Sequence, residues 1–292
     1  MSQSKGTIEG HTLSGAGFML LGAVSIQWTA ALVTRAFPII GPSATSAWRF
    51  LLGALVLLAL TRPRVRRWTK RQWMGALALG LTVAVMNQCF YQAIARIHLG
   101  SAVAIEYLGP FCIAAFGRRS PRHLAFVALA GIGVVALTRP GNGLNVTGVL
   151  FAGGAGLGWA AYIFASRRVG GTTSGFDGLA VSMSIAAIIT LPLSLGSSAR
   201  LIEDPNLLLR LFIVAVVAIV LGFGAELQGL RRLKPSIAGV LLAGDPAVAF
   251  VLGWLLLHQA VRLWDILGLV CVVLAGVGVT LDSTVSEGEL AQ

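Results

Sequence analysis

The sequence predicts an all-α membrane protein, with ten transmembrane helices in an inverted 5+5 repeat and both termini cytoplasmic. Three observations predict it. First, 56% of the 292 residues are hydrophobic, only 11% are charged, and mean hydropathy is +0.84. Soluble domains carry roughly 25% charged residues, so this much apolar surface makes the bilayer the expected solvent. Second, the apolar residues fall into ten runs separated by short polar breaks. Third, the stretch Asn87–Pro110 has a weaker echo at Phe223–Pro246, 136 positions later.

Residues 1–12 form a short polar tail. The run 13–34 exceeds a signal-peptide core, has only Lys5 as a preceding cation and is followed by more spans, so it is the first membrane helix. The other runs are approximately 43–60, 74–95, 99–116, 124–138, 146–166, 179–195, 209–230, 236–257 and 265–281. Several are shorter than the ~20 residues of a full span and are expected to be little tilted, or broken beside a cavity. Residues 282–292 form a short acidic tail. Cys89, Cys112 and Cys271 lie in apolar runs without CxxC spacing and read as small buried hydrophobes.

Charge sets the orientation. With the N-terminus inside, the cytoplasmic segments hold fifteen of the 22 Lys and Arg residues, including six between Arg62 and Arg71. The outer segments hold six, at Arg35, Arg96, Arg139, Arg200, Arg210 and Arg262, and Arg49 lies within a helix. Such an excess marks the cytoplasmic side, and ten helices then return the C-terminus to it. The net charge of +11 is thereby a topology signal rather than a nucleic-acid surface.

At the 136-residue offset, Gln92 falls on Gln228, Arg96 on Arg232, Ala102 on Ala238, Pro110 on Pro246 and Gly117 on Gly253. Leu-Ala-Gly-Ile-Gly-Val at 129–134 matches Leu-Ala-Gly-Val-Gly-Val at 274–279. Two halves, 13–140 and 141–281, follow. Five helices per half is an odd number, so the halves lie in opposite orientations, an arrangement that puts binding near the midplane in many carriers. A pocket between the halves is expected.

Four charges lie inside apolar runs: Arg49, Glu106, Glu226 and Asp245. Each costs about 2.5–3.5 kcal/mol or more at a helix centre and needs a partner or water. Arg49 and Glu106 both lie roughly 9 Å from the outer ends of their helices, at a depth where they can pair, and Asp245 lies roughly 14 Å in. Glu106 and Asp245 are candidates for a substrate or proton path. Glu226 is about one turn from Arg231 and Arg232, and its reading is structural. Pro110 and Pro246 each remove an amide donor and free a carbonyl one turn earlier, near Glu106 and Leu242. Freed carbonyls within a membrane face protein or a wet cavity.

Asn87 and Tyr91 share one helix face, as do Gln88 and Gln92, and at least one pair is expected to face the interior. Trp159 and Tyr162 are pocket-lining candidates, with aromatic packing as the alternative. Gln27 and Trp28 are similar but weaker candidates. Gly153, Gly154, Gly156 and Gly158 make a small-residue face for helix packing. Gly131-Ile-Gly133-Val-Val-Ala136 matches a dinucleotide fingerprint only by letters, since no acid follows at about 20 residues. No phosphate loop, zinc spacing or nucleophile–base pair stands out, so no catalytic residue, metal or cofactor is expected.

The stretches Asn87-Gln-Cys-Phe-Tyr and Ile97-His-Leu-Gly-Ser-Ala-Val-Ala-Ile-Glu-Tyr-Leu-Gly-Pro110 resemble the drug/metabolite transporter superfamily. Within its EamA-type members they are most similar to the threonine/homoserine exporter group. Arg118-Arg119 followed by a proline, the stretch 154–163, and Asp245-Pro246 followed by Leu257-His258 support the resemblance, which covers nearly the whole chain. The sequence departs from the group at Asp245 and Gln259, where glutamate is common, and at Ala243, where serine is common. The resemblance implies a bacterial inner-membrane carrier of ten helices and two EamA-type repeats that exports amino acids or related metabolites.

The expected function is therefore secondary transport of a small zwitterionic amino acid by alternating access. Glu106 faces the substrate ammonium, and Arg49 faces its carboxylate or Glu106 itself. Asn87, Gln88 and Gln228 orient it, with Tyr91, Trp159, Tyr162 and Asp245 around it. Glu106 or Asp245 exchanges a proton. Pro110 and Pro246 serve as hinges. The partners are a small molecule and the lipid bilayer, not nucleic acid; the oligomeric state is open. Export of another small metabolite or amphipathic compound is the alternative. A non-transporting sensor or assembly subunit is a different class, disfavoured because no loop is long enough to form a soluble signalling domain.

Overall fold

The computed structural model describes residues 2–116, 121–138, 145–170 and 176–290, and among these the regular structure is helical, with no strand. Gly117, Arg118, Arg119 and Arg139 of the sequence arguments lie outside the described residues. The α-helices are α1 (Ser2–Val33), α2 (Phe37–Ile40), α3 (Pro42–Thr61), α4 (Lys70–Ile94), α5 (Leu99–Glu106), α6 (Leu108–Phe116), α7 (Pro121–Leu137) and α8 (Val146–Gly170). There follow α9 (Asp177–Thr190), α10 (Ser198–Glu203), α11 (Pro205–Val216), α12 (Gly224–Leu230), α13 (Pro235–Leu242), α14 (Asp245–Leu257) and α15 (Leu263–Leu290). Among the described residues, eight helical stretches are long and apolar enough to cross a membrane, and Leu99–Ile113 and Leu124–Leu137 are shorter apolar helices. The protein is an all-α membrane protein.

Local chemistry accounts for most boundaries. Thr69 begins α4 with a capping box: the Thr69 hydroxyl accepts from the Gln72 amide, and Gln72 Oε1 accepts from the Thr69 amide. Gly41 joins α2 to α3 at φ +81°, a conformation that a side chain would strain, and Pro42 follows at the first helical position. Two differences from the sequence reading stand out. Helix α1 begins at Ser2 and α15 runs to Leu290, so both polar tails are helical. Once an apolar span has supplied the nucleus, each further residue adds one backbone bond, and no proline stops either end. The run at 209–230 is also divided by a π-helical segment, Val217–Phe223, between α11 and α12.

The chain forms two compact units, and each draws on both halves of the sequence. One comprises residues 32–97 and 145–216. Within it α4 packs on α8 and α9, and α3 packs on α9 and α11. A Cβ on Gly158 would lie 2.9 Å from Met86 Cα, so the small-residue face of α8 does let α4 approach closely. The other unit comprises residues 1–31, 98–144 and 217–292. Its helices α7 and α15 cross at Gly133 and Gly268, where a Cβ on either would meet the other's carbonyl oxygen at 2.7 or 2.6 Å. Gly133 is thus a helix-crossing residue. Helix α1 packs against the π segment, because a Cβ on Gly222 would meet Ile26 Cγ1 at 2.8 Å and one on Gly22 would meet the Gly222 oxygen at 3.1 Å.

Candidate functional site

In the unit of residues 32–97 and 145–216, a ladder of polar side chains joins α3 to α4. Arg49 Nη1 donates to the Tyr91 hydroxyl at 2.7 Å, and the guanidinium carbon lies 5.5 Å from the ring centroid. Tyr91 is fully buried, with Phe37 and Phe90 beside it at ring separations of 5.8 and 6.3 Å. Gln88 Nε2 donates to the Ser43 carbonyl at 3.2 Å, and Gln92 Nε2 donates to Ser43 Oγ at 2.7 Å. Side chains lean toward the helix N-terminus, so Arg49 reaches back along α3 toward the level of Ser46.

Two buried polar atoms in this ladder have no hydrogen-bond partner among the described residues, Gln88 Oε1 and Ser46 Oγ. Ser46 is only 2% exposed and sits one turn from both Ser43 and Arg49 on the same face of α3. Arg49 carries five N–H donors, and Tyr91 takes one of them. An unpartnered buried polar group costs about 1–3 kcal/mol, so a polar ligand that satisfies these atoms recovers that cost on binding. Of the sequence candidates here, Arg49, Tyr91 and Gln88 come together. Asn87 Nδ2 instead donates to the Val83 carbonyl of its own helix at 3.2 Å. Trp159 and Tyr162 are half-buried on α8, which packs on α4. Ser43 and Ser46 escaped the sequence reading; the three-residue steps from Ser43 to Ser46 and from Ser46 to Arg49 were the available signal.

The acids lie in the other unit. Glu106 ends α5, all eight residues of which are buried, and among the described residues no hydrogen bond or ion pair engages its carboxylate. Asp245 opens α14, with Pro246 after it, so its charge stands at the positive end of that helix dipole. Tyr107, another residue the sequence reading passed over, is close enough to Asp245 and Glu226 for their charges to act on it. The helix breaks fall where the prolines predict. Tyr107 separates α5 from α6 three residues before Pro110, and Ala243–Gly244 separate α13 from α14 just before Pro246. The carbonyls of Glu106 and Leu242 lose the amide that residues 110 and 246 would otherwise supply. Gln259, where the resembled group has an acid, accepts the Leu99 amide at 3.1 Å through Oε1 and so caps α5.

The 136-residue echo has a structural counterpart. Arg96 Nη1 donates to the carbonyl and to Oε1 of Gln92, and Arg232 Nη1 donates to both oxygens of Gln228 at 3.2 Å. Gln228 is exposed in this arrangement. Arg96 lies over Phe151 at 5.3 Å, and Arg232 lies over Phe18 at 4.4 Å. The main-chain turn repeats as well: the amides of Arg96 and Ile97 reach the Ala93 carbonyl, and those of Arg232 and Leu233 reach that of Gly229.

The EamA-like transporter family model matches the chain over residues 13–138 and 146–281. The chain belongs to the EamA-like transporter family. This EamA-like protein is 34% identical over 266 residues to the threonine/homoserine exporter RhtA of Salmonella typhimurium LT2, covering 90% of each chain. It is 32% identical over 266 residues to the threonine/homoserine exporter RhtA of Escherichia coli K12, again covering 90% of each. A solved crystal structure 21% identical to it superposes with a TM-score of 0.60, covering 94% of this chain and 97% of that one, and shares its fold. The EamA-like protein is a membrane transporter and not an enzyme.

Proposed function

We propose that this transporter exports small amino acids of the threonine and homoserine type from the bacterial cytoplasm, as a secondary carrier in the inner membrane. The observation that carries the reading is the α3–α4 ladder. It offers spare cationic donors on Arg49 beside the unpartnered Gln88 Oε1 and Ser46 Oγ. A zwitterionic amino acid matches this set: its carboxylate takes the Arg49 donors, and its ammonium or hydroxyl satisfies the orphaned oxygens. Asn87, Trp159 and Tyr162 shape the surroundings on α4 and α8, and Gln228 takes its place in the second half of the chain. The named substrates of the RhtA relatives agree with this class.

Transport proceeds by alternating access through ten spans, in two inverted five-helix repeats at 13–140 and 141–281, with both termini cytoplasmic. The Arg–Gln pair repeated 136 residues apart and the two family matches support the repeat. The distribution of Lys and Arg supports the orientation. Glu106 or Asp245 carries a proton during the cycle, a reading supported for Glu106 by its burial and by the lack of a cationic partner among the described residues. Pro110 and Pro246 are the flexing points.

Counterflow in proteoliposomes tests the reading. Vesicles loaded with unlabelled threonine are expected to accumulate labelled threonine and homoserine saturably. No exchange with any member of a wide amino-acid panel, from protein that is folded and inserted, would refute it.

A further inference from the structure

We propose that a groove lined by the end of α1, the turn and short α2 that follow it, and α11 is a binding site for an anionic phospholipid of the surrounding bilayer. The groove encloses about 480 Å³, and Arg35 and Arg210 are among its lining residues. Neither guanidinium makes a hydrogen bond or ion pair with a described residue. Two neighbouring polar groups are already committed. Arg200 donates to the Ile39 carbonyl at 3.3 Å, and Asp204 Oδ1 caps α11 by accepting the Asn206 and Leu207 amides, both at 3.0 Å. Two arginines thus share the groove with one carboxylate that has an oxygen spent on a helix cap.

The rest of the lining decides between a small soluble anion and a lipid. Leu32, near the end of α1, stands about one turn before Arg35, which lies in the 3-10 turn Thr34–Ala36; on α11, Ile213 stands one turn beyond Arg210. Both arginines lie near the ends of candidate membrane spans, Leu13–Ile40 and Pro205–Leu230, and each step leads toward the interior of its span. The surface therefore grades from cationic to apolar along both helices. Exposed Ile39 and Ile213 continue the apolar lining. A phosphate headgroup held by Arg35 and Arg210, with acyl chains laid along Leu32 and Ile213, satisfies both ends, whereas free phosphate satisfies only one.

The test uses the full-length protein in neutral detergent, with native mass spectrometry to count retained lipid. Dioleoyl phosphatidylglycerol is expected to be retained over dioleoyl phosphatidylcholine by about thirtyfold, from two arginines each contributing the usual increment at an anionic surface. R35Q/R210Q is expected to bring that preference close to unity. R35K/R210K is expected to keep most of it, and R200Q is expected to leave it unchanged. Equal retention of the two lipids by the wild-type protein overturns the proposal, with no variant needed. A preference that survives in folded R35Q/R210Q overturns it too, as does displacement of the lipid by millimolar inorganic phosphate or threonine.

Discussion

Arg49 and Ser46 illustrate how a single side chain can be left incomplete by the fold. Tyr91 holds one arm of the guanidinium and burial removes water from the Ser46 hydroxyl, yet neither group has its full set of partners. Under the proposed assignment of the α3–α4 ladder as the amino-acid site, Ser46 would read the hydroxyl of a hydroxy amino acid. A neutral hydrogen bond contributes about 0.5–1.5 kcal/mol. Ser46→Ala is therefore expected to raise the half-saturation for threonine and homoserine by up to about tenfold while leaving that for valine unchanged. Competition for labelled threonine uptake measures both; an equal loss for valine would make Ser46 a packing residue only. Part of the residue-scale picture was legible beforehand. Charges and amides in apolar runs are costly enough to attract notice, which brought Arg49, Gln88 and Tyr91 forward. A serine in a membrane helix is cheap, so Ser46 became visible only once its neighbours were known.

Elements show a similar division. The breaks at Tyr107 and Ala243–Gly244 were legible because proline lacks an amide whatever surrounds it. The π segment Val217–Phe223 was not; it packs against Ile26 and Gly22 from a distant part of the chain, which no local pattern shows. Nor were the helical tails, since polar composition alone does not stop a helix. Pro110→Ala restores the amide that the Glu106 carbonyl lacks and removes a flexing point. It is expected to slow threonine turnover about tenfold or more, with equilibrium binding changed less than twofold, if closure involves this break. Equal loss in both would mean that Pro110 shapes the site instead. Gly268→Val places a branched side chain where a Cβ already meets the Gly133 oxygen at 2.6 Å. A loss of about 1–3 kcal/mol is expected, visible as a lower thermal midpoint in detergent; an unchanged midpoint would show that α7 and α15 adjust freely.

For the molecule as a whole, composition settled the membrane class, and the family match settled transport. The grouping of helices was harder to foresee. Chain order suggested two successive halves, whereas each compact unit takes helices from both, residues 32–97 with 145–216, and 98–144 with 217–292. Pattern matching along a sequence points to a repeat and says nothing of which helices pack together. That division leaves Arg49 and Glu106 in different units, with Arg49 engaged by Tyr91. The proposed proton role of Glu106 is separable from substrate recognition. Glu106→Gln keeps the side-chain shape and removes the ionisable proton, so exchange of threonine is expected to persist while the response of net export to an imposed pH gradient disappears. A variant that keeps the wild-type pH response takes Glu106 out of the coupling.

The most direct measurement is the affinity of purified protein for threonine in the wild type and in Arg49→Ala and Arg49→Lys. A charge-assisted bond to the substrate carboxylate is worth about 1.5–3 kcal/mol, so Arg49→Ala is predicted to weaken binding by roughly ten- to a hundredfold. Arg49→Lys, which keeps the charge and loses the fork, is predicted to fall between that variant and the wild type. Unchanged affinity in folded Arg49→Ala would contradict the assignment of the α3–α4 ladder as the amino-acid site.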